Sequence, residues 1–246
     1  MRKKIAFTLA EVLIAMTIVG AVAAMVIPPI IVGQKTNQAK SEFNTAYSIL
    51  TSVVARMDAD NVSLKPASYS TPEDFYSVIK KYQKISHDCG TAQICSPNPQ
   101  YEDLDPKGAY VLTNGMLVVI EKAPNTRWVV ESEDANPGSE PSYKYIEEYA
   151  FKNIDESQAN NTIEVEHNDI LVTIDINGNQ KVPNKRGFDV FSFQLLNGDL
   201  IPVGARGTFT QTSCSRDDNA SIAAAMACSQ EAATNGDYFK NIFNNR

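Results

Sequence analysis

The first sixty residues contain two successive patterns of apolar positions. From Phe7 to Val32 the chain is almost continuously apolar, and Glu11 is the one charged residue in that run. A run of this length can cross the roughly 30 Å hydrocarbon core of a bilayer as one helix. Apolar residues then recur three or four positions apart, which predicts an amphipathic continuation ending near Asp58. These residues are Ala39, Phe43, Tyr47, Leu50, Val54 and Met57.

Two consecutive prolines, Pro28 and Pro29, interrupt this predicted helix. Each proline removes a backbone N–H donor and favours a kink. The pattern leaves two interpretations open, a break where the chain leaves the membrane or one gently bent helix. In either case the outer half should pack on a globular domain through its Phe43, Tyr47, Leu50 and Val54 face.

The next segment predicts a short second helix. Thr71 can cap a helix that begins at Pro72 and has acidic residues in its first turn. We expect this helix to end near Ile85.

The rest of the chain is dominated by strand patterns. Residues 109–113 and 116–121 flank Asn114-Gly115, which predicts a hairpin closed by a type I′ turn. Residues 131–142 are polar and rich in proline and glycine, which indicates a loop. Further strands are predicted at residues 127–131, 169–176, 188–196 and 200–201, and an alanine-rich helix at 220–233. The predicted fold class is α+β, a long helix against a mainly antiparallel sheet.

Charge and composition argue against several functional classes. The net charge is −7, and the one basic cluster is Arg2-Lys3-Lys4, so nucleic acid is not the expected partner. His87 and His167 are the two histidines, and neither lies in a motif typical of a metalloprotease or a catalytic triad. We therefore expect no enzymatic activity.

A basic start followed by an apolar run is common to several kinds of N-terminal segment. A secretory signal peptide would be cleaved near Ala21-Val22-Ala23, and a plain membrane anchor would be retained. Glu11 argues against both, because a carboxylate near the bilayer centre costs roughly 2.5 kcal/mol or more. The basic residues should stay on the cytoplasmic side and the rest of the chain should face outward.

The segment Lys4-Ile5-Ala6-Phe7-Thr8-Leu9-Ala10-Glu11-Val12-Leu13-Ile14 resembles the processing motif of type IV pilins and type II secretion pseudopilins. The resemblance implies that a prepilin peptidase cuts between Ala6 and Phe7 and N-methylates Phe7. It implies that Glu11 then pairs with the new N-terminus of a neighbouring subunit during assembly. The family usually has glycine where this chain has Ala6. It also implies a helix that can unwind between Gly20 and Pro28 in a filament.

The resemblance divides the chain into a leader (1–6), a transmembrane and assembly helix (7–32), its amphipathic continuation (33–60) and a globular α+β domain (61–246). The implied location is the bacterial inner membrane, with the domain outside, followed by a surface or periplasmic filament. The implied partners are the prepilin peptidase, other pilin or pseudopilin subunits, an inner-membrane assembly platform, and membrane lipid before assembly. No cofactor is required.

Four cysteines form two local pairs, Cys89 with Cys95 and Cys214 with Cys228. An even, locally grouped set is typical of disulfides in an oxidising compartment, although four cysteines allow three connectivities. His87-Asp88-Cys89 contains residue types that occur in zinc sites and beside nucleophilic cysteines, but the spacing lacks a CxxC motif. Two local bridges are the better interpretation, and the family often carries a C-terminal bridge.

One loop combines oxygen ligands at alternating positions. Asp175, Asn177 and Asn179 could bind Ca²⁺, with Asp189 closing the site after an intervening loop. The alternative is an Asn-Gly turn held by hydrogen bonds from the side chain of an Asx residue to the backbone. The loop is not an EF-hand, because position six is Gln180 and position twelve is Arg186.

The predicted function is structural, a subunit or minor subunit of a type IV pilus or a type II secretion pseudopilus. The rival is a membrane-anchored extracytoplasmic binding domain or enzyme that does not polymerise. Glu11 separates the two, because a plain anchor gains nothing from a carboxylate.

Overall fold

The computed structural model describes residues 8–91, 93–96, 104–124, 126–132, 142–146, 162–165, 169–178, 180–196, 198–210, 212–217 and 219–244. Side-chain surroundings are described for these ranges except Pro28, the segments 126–132, 142–146 and 162–165, and Asn244.

The first element is a single helix of 51 residues, α1 (Leu9–Ala59). It is helical through Pro28-Pro29, so the interpretation as one helix is the one the structure shows. Its outer half buries the predicted face, where Phe43 and Leu50 are at most 1% exposed. The ring of Phe43 meets that of Phe191 edge-on at 4.9 Å, and Tyr47 stacks on Phe193 at 5.5 Å.

The second helix is shorter than predicted. α2 (Pro72–Ile79) begins with Thr71 as its cap, and a 3-10 turn follows over Lys80–Tyr82. Thr71 and Asp74 form a reciprocal capping box, which satisfies backbone donors of the first turn. Ile85 was expected to end the helix, but it is the first residue of a strand.

The main sheet has six antiparallel strands in the order β1-β2-β3-β7-β8-β9. The strands are β1 (Ile85–Gly90), β2 (Gly108–Leu112), β3 (Leu117–Lys122), β7 (Ile170–Asp175), β8 (Val190–Leu196) and β9 (Asp199–Pro202). A separate sheet has the order β5-β4-β6. It contains β4 (Thr126–Ser132), β5 (Ser142–Ile146) and β6 (Thr162–Val165). Strands β1, β5 and β6 were not predicted.

The hairpin between β2 and β3 was predicted correctly, but its turn type was not. Gly115 has a φ of +90°, whereas Asn114 is not among the residues with positive φ, so the turn is not type I′. The Gly115 N–H donates to the Leu112 carbonyl, which is typical of a type I turn followed by a glycine in the left-handed region.

Two helices complete the domain. α3 (Ile222–Thr234) matches the predicted alanine-rich helix, and α4 (Tyr238–Asn244) was not predicted. α4 packs on α1, and Phe239 lies 5.7 Å from Phe43 between ring centres. The fold is α+β, as predicted, with one face of the sheet covered by the outer half of α1.

Candidate functional site

The exposed half of α1 is the most distinctive feature of the molecule. Thirteen large apolar side chains between Leu9 and Ile31 are exposed, from 40% for Val12 to 79% for Leu9. An 18-residue window of this helix has a mean hydropathy of 2.3, and the helix is long enough to cross a membrane. Apolar surface of this extent on one helix indicates a membrane or a protein interface.

Glu11 lies at the start of this helix and has a local partner. Its carboxylate accepts hydrogen bonds from the backbone N–H and the hydroxyl of Thr8, both at 2.8 Å. The Thr8 hydroxyl accepts in turn from the Glu11 backbone N–H at 3.3 Å, which completes a capping box. Sequence reasoning missed Thr8, although the spacing Thr-x-x-Glu before an apolar run is the usual signal for this cap.

The capping box gives Glu11 a role within its own helix, separate from the role in assembly that the resemblance implies. A glutamate at this position satisfies the orphan N–H groups of its own helix and favours the positive end of the helix dipole. The carboxylate is also exposed, so it can accept further donors. The cut site itself, Ala6 and Phe7, lies outside the described residues.

The two positions expected to give flexibility lie within α1. Gly20 has an open surface, since a β-carbon added there would meet nothing within 4 Å. Pro28 is helical. Unwinding between them stays a prediction.

The loop between β7 and β8, residues 176–189, holds most of the residues considered for calcium. Asp175 accepts from the backbone N–H groups of Asn177 and Gly178, both at 3.1 Å, which is an Asx turn. Asp189 accepts from the Asn177 side chain at 2.8 Å, and also from the backbone N–H groups of Asn184 and Lys185. Asn179 lies outside the described residues.

These contacts favour the turn over a cation, because both carboxylates already accept N–H donors. Burial raises the pKa of Asp189 to about 6, against the lowering effect of its N–H donors. The calcium site stays a prediction.

Two disulfides tie down the predicted pairs. Cys89 bonds to Cys95, and Cys214 bonds to Cys228. Cys228 lies on α3 and is fully buried against Gly187, where an added β-carbon would come within 3.1 Å of its sulfur. The second bridge therefore joins α3 to Cys214 in the segment before the helix, while Cys228 itself packs against the end of the β7–β8 loop.

A buried charge pair was also missed by sequence reasoning. The Arg186 guanidinium donates to Glu121 at 2.8 Å and to the Ser192 hydroxyl at 2.9 Å. Thr173 also donates to Glu121, and both charged side chains are at most 5% exposed. No local pattern marks these residues, since they are 65 positions apart in the chain.

The first 27 residues match the family model of the prokaryotic N-terminal methylation motif, which is the prepilin-type motif of type IV pilins and pseudopilins. This match covers the leader, Ala6, Phe7, Glu11 and most of the exposed half of α1. No curated protein and no solved structure matches the chain.

Proposed function

We propose that this type IV pilin-like chain is a structural subunit, major or minor, of a type IV pilus or a type II secretion pseudopilus. The observation that carries the proposal is the division of α1. One continuous helix exposes its first half as an apolar surface and buries one face of its second half in the globular domain. A prepilin-type motif lies on the exposed half.

The arrangement supports assembly because a long exposed helix can exchange lipid for other helices of its kind. Before assembly, lipid covers the apolar side chains of the first half. In a filament, the same side chains would pack against neighbouring helices, with the globular domains outside. The prepilin peptidase, an inner-membrane platform and other subunits are the partners that this route requires.

The carboxylate of Glu11 gives the assembly its register. Cleavage before Phe7 frees an amine that is cationic near neutral pH. The Glu11 carboxylate of a neighbouring subunit would offset the cost of burying that amine. Removing either the amine or the carboxylate would leave the other group buried without a partner. The exposed position of Glu11 leaves its carboxylate accessible to a second chain.

Mass spectrometry of subunits in sheared filaments tests the proposal. The subunit should be present there, begin at Phe7 and carry one methyl group on its amine. Ala6→Trp is the control, because a bulky residue before the cut should leave the leader attached and the filament fraction empty. A mature chain that begins near Ala24, or one absent from filaments while processed, would favour a secreted or simply anchored domain.

A further inference from the structure

A groove lies between α1 and the β7–β8 loop, at the end of the domain nearest the apolar half of the helix. Lys35, Gln38 and Glu42 line it from α1, and Lys181 and Val182 line it from the loop. The Lys181 ammonium lies 4.0 Å from the Glu42 carboxylate, which places the loop alongside these helix turns.

The tip of this loop is apolar and exposed. Val182 is 62% exposed, and elsewhere in the described ranges outside α1 only Ile222 is a comparably exposed large aliphatic residue. Lys181, also exposed, precedes Val182, and Lys185 follows three residues later. An exposed aliphatic side chain between lysines is typical of a surface that rests on a lipid interface.

The groove starts at the height of the lipid headgroups if α1 spans the bilayer. The apolar run ends at Val32, and Lys35 follows about 4.5 Å further along the helix at 1.5 Å per residue. A headgroup layer is about 5–7 Å thick on each side of the hydrocarbon core. The run from Phe7 also exceeds the roughly 20 residues needed to span, so the helix should tilt and lower one side of the domain.

Lysines gather at this end although the whole chain is acidic. The Lys40 ammonium donates to the Gly236 carbonyl, two residues before α4 begins, and Ile242 of α4 lines the groove with Lys35. The lysines that the structure places at this end are Lys35, Lys40, Lys181 and Lys185. Among the described residues there, the acidic side chains that are not buried are Glu42, Glu231 and Asp237, while Asp189 lines the groove but is buried. The net charge of the whole chain is −7.

We propose that Lys35 and the segment 181–185 form a docking surface for anionic phospholipid headgroups. Lys35 and Lys181 contact phosphate groups while Val182 enters the interface, which holds the domain against the outer leaflet until assembly. The inference rests on the proposed function only for placing the domain on that side of the membrane. A second copy is a poorer occupant, because two copies of the same basic surface repel each other.

The test uses the full processed chain, reconstituted at low density in vesicles. Val182→Cys carries an environment-sensitive fluorophore, and the lipids carry a quencher at headgroup depth. Ile222→Cys is the matched control, because its neighbour Ala223 packs with Leu171, at the opposite end of β7 from the loop. Vesicles of phosphatidylcholine with phosphatidylglycerol are compared with phosphatidylcholine alone.

We expect quenching at position 182 to be severalfold stronger with phosphatidylglycerol, and to fall to the level of position 222 in a Lys35→Gln/Lys181→Gln chain. Equal quenching at the two positions would overturn the proposal. Quenching at position 182 that changes with protein density and not with lipid charge would also overturn the proposal, and would assign the surface to a second copy of the chain. Protease protection on the same vesicles shows whether the anchor spans; a chain that does not span would overturn the proposed function as well.

Discussion

At the scale of residues, the buried pair Glu121 and Arg186 has the largest expected effect on stability. Each ion is almost fully enclosed, and their hydrogen bonds to Thr173 and Ser192 join strands β3, β7 and β8. Buried pairs contribute little net energy when intact, but removing one partner leaves an uncompensated charge. The network therefore links the sheet to the base of the β7–β8 loop.

Arg186→Met should lower the free energy of unfolding by about 3–5 kcal/mol, because it strands the Glu121 carboxylate. Urea unfolding of the detergent-solubilised chain measures the change. In a Glu121→Met/Arg186→Met chain, the free energy of unfolding should fall by less than the sum of the decreases caused by the two single substitutions. Lys107→Met is the control, because its pair with Asp105 is exposed and should be worth about 1 kcal/mol or less. Equal decreases in the free energy of unfolding from Arg186→Met and Lys107→Met would contradict this account.

Asp189 gives the protein a pH dependence of defined sign. Its pKa is about 6 in the folded state against an ordinary value of 3.8, so the folded state binds the proton at higher pH. This group therefore adds stability as the pH falls from about 6 toward 3.8, and the contribution is lost as the pH rises through about 6.

Asp189→Asn should remove this dependence, since an amide does not titrate. Urea midpoints across that range measure the difference between the two chains. As the pH falls, the urea midpoint of the unchanged protein should rise relative to that of Asp189→Asn. A constant difference would show that the N–H donors fully offset burial, and a shift in favour of the variant would show that they outweigh it.

Residue-scale prediction from the sequence depended on whether partners lie close in the chain. The cysteine pairs were visible because each pair is separated by 6 or 14 positions. The Glu121–Arg186 pair was not visible, because only the sheet brings β3 and the β7–β8 loop together. Glu11 was identified because a carboxylate within a membrane segment costs free energy, but the helix cap formed by Thr8 was not predicted.

At the scale of elements, long periodic patterns were predicted well and short ones poorly. α1 follows from a long apolar run and the amphipathic period after it, and strands β7 and β8 from segments rich in β-branched and aromatic residues. α4 is only seven residues long, and it is stabilised by packing Phe239 against Phe43, a contact that no local pattern reveals. β1 interrupted the predicted helix because it pairs with β2, although it has two irregularities in its register.

The bridge between Cys214 and Cys228 should stabilise the chain more than the bridge between Cys89 and Cys95. It closes a loop of 14 rather than 6 positions, and it joins α3 to the segment that precedes the helix. Loop entropy predicts about 2–4 kcal/mol for such bridges, and about 1 kcal/mol less for the shorter loop.

Paired substitution to serine at each bridge, followed by urea unfolding, measures these contributions. Peptide mapping without reduction should first find both linked pairs in protein from its native compartment. A larger loss at Cys89 and Cys95, or four free thiols, would contradict the assignment.

At the scale of the whole molecule, the chain is an α+β domain that continues into the exposed, apolar first half of α1. The apolar half of α1 and the prepilin-type motif were recognisable from the sequence, because each is a contiguous segment of the chain. The groove between α1 and the β7–β8 loop was not recognisable, because it depends on how α1, the β7–β8 loop and α4 pack together.

The central claim is that the charge of Glu11 acts in assembly, beyond its role in the cap. Two substitutions separate these roles. Glu11→Gln keeps the capping box, since glutamine serves at this position, but removes the charge. Thr8→Val keeps the charge and removes the hydroxyl that caps the helix.

The most direct measurement is the yield of sheared filaments from cells in which every subunit carries one change, compared with the amount of processed subunit in the membrane. Glu11→Gln should be inserted and processed normally yet fail to enter filaments, as should Glu11→Ala. Thr8→Val should assemble at close to the normal yield. Normal filaments from Glu11→Gln together with a loss in Thr8→Val would contradict the account, and would show that Glu11 serves only its own helix.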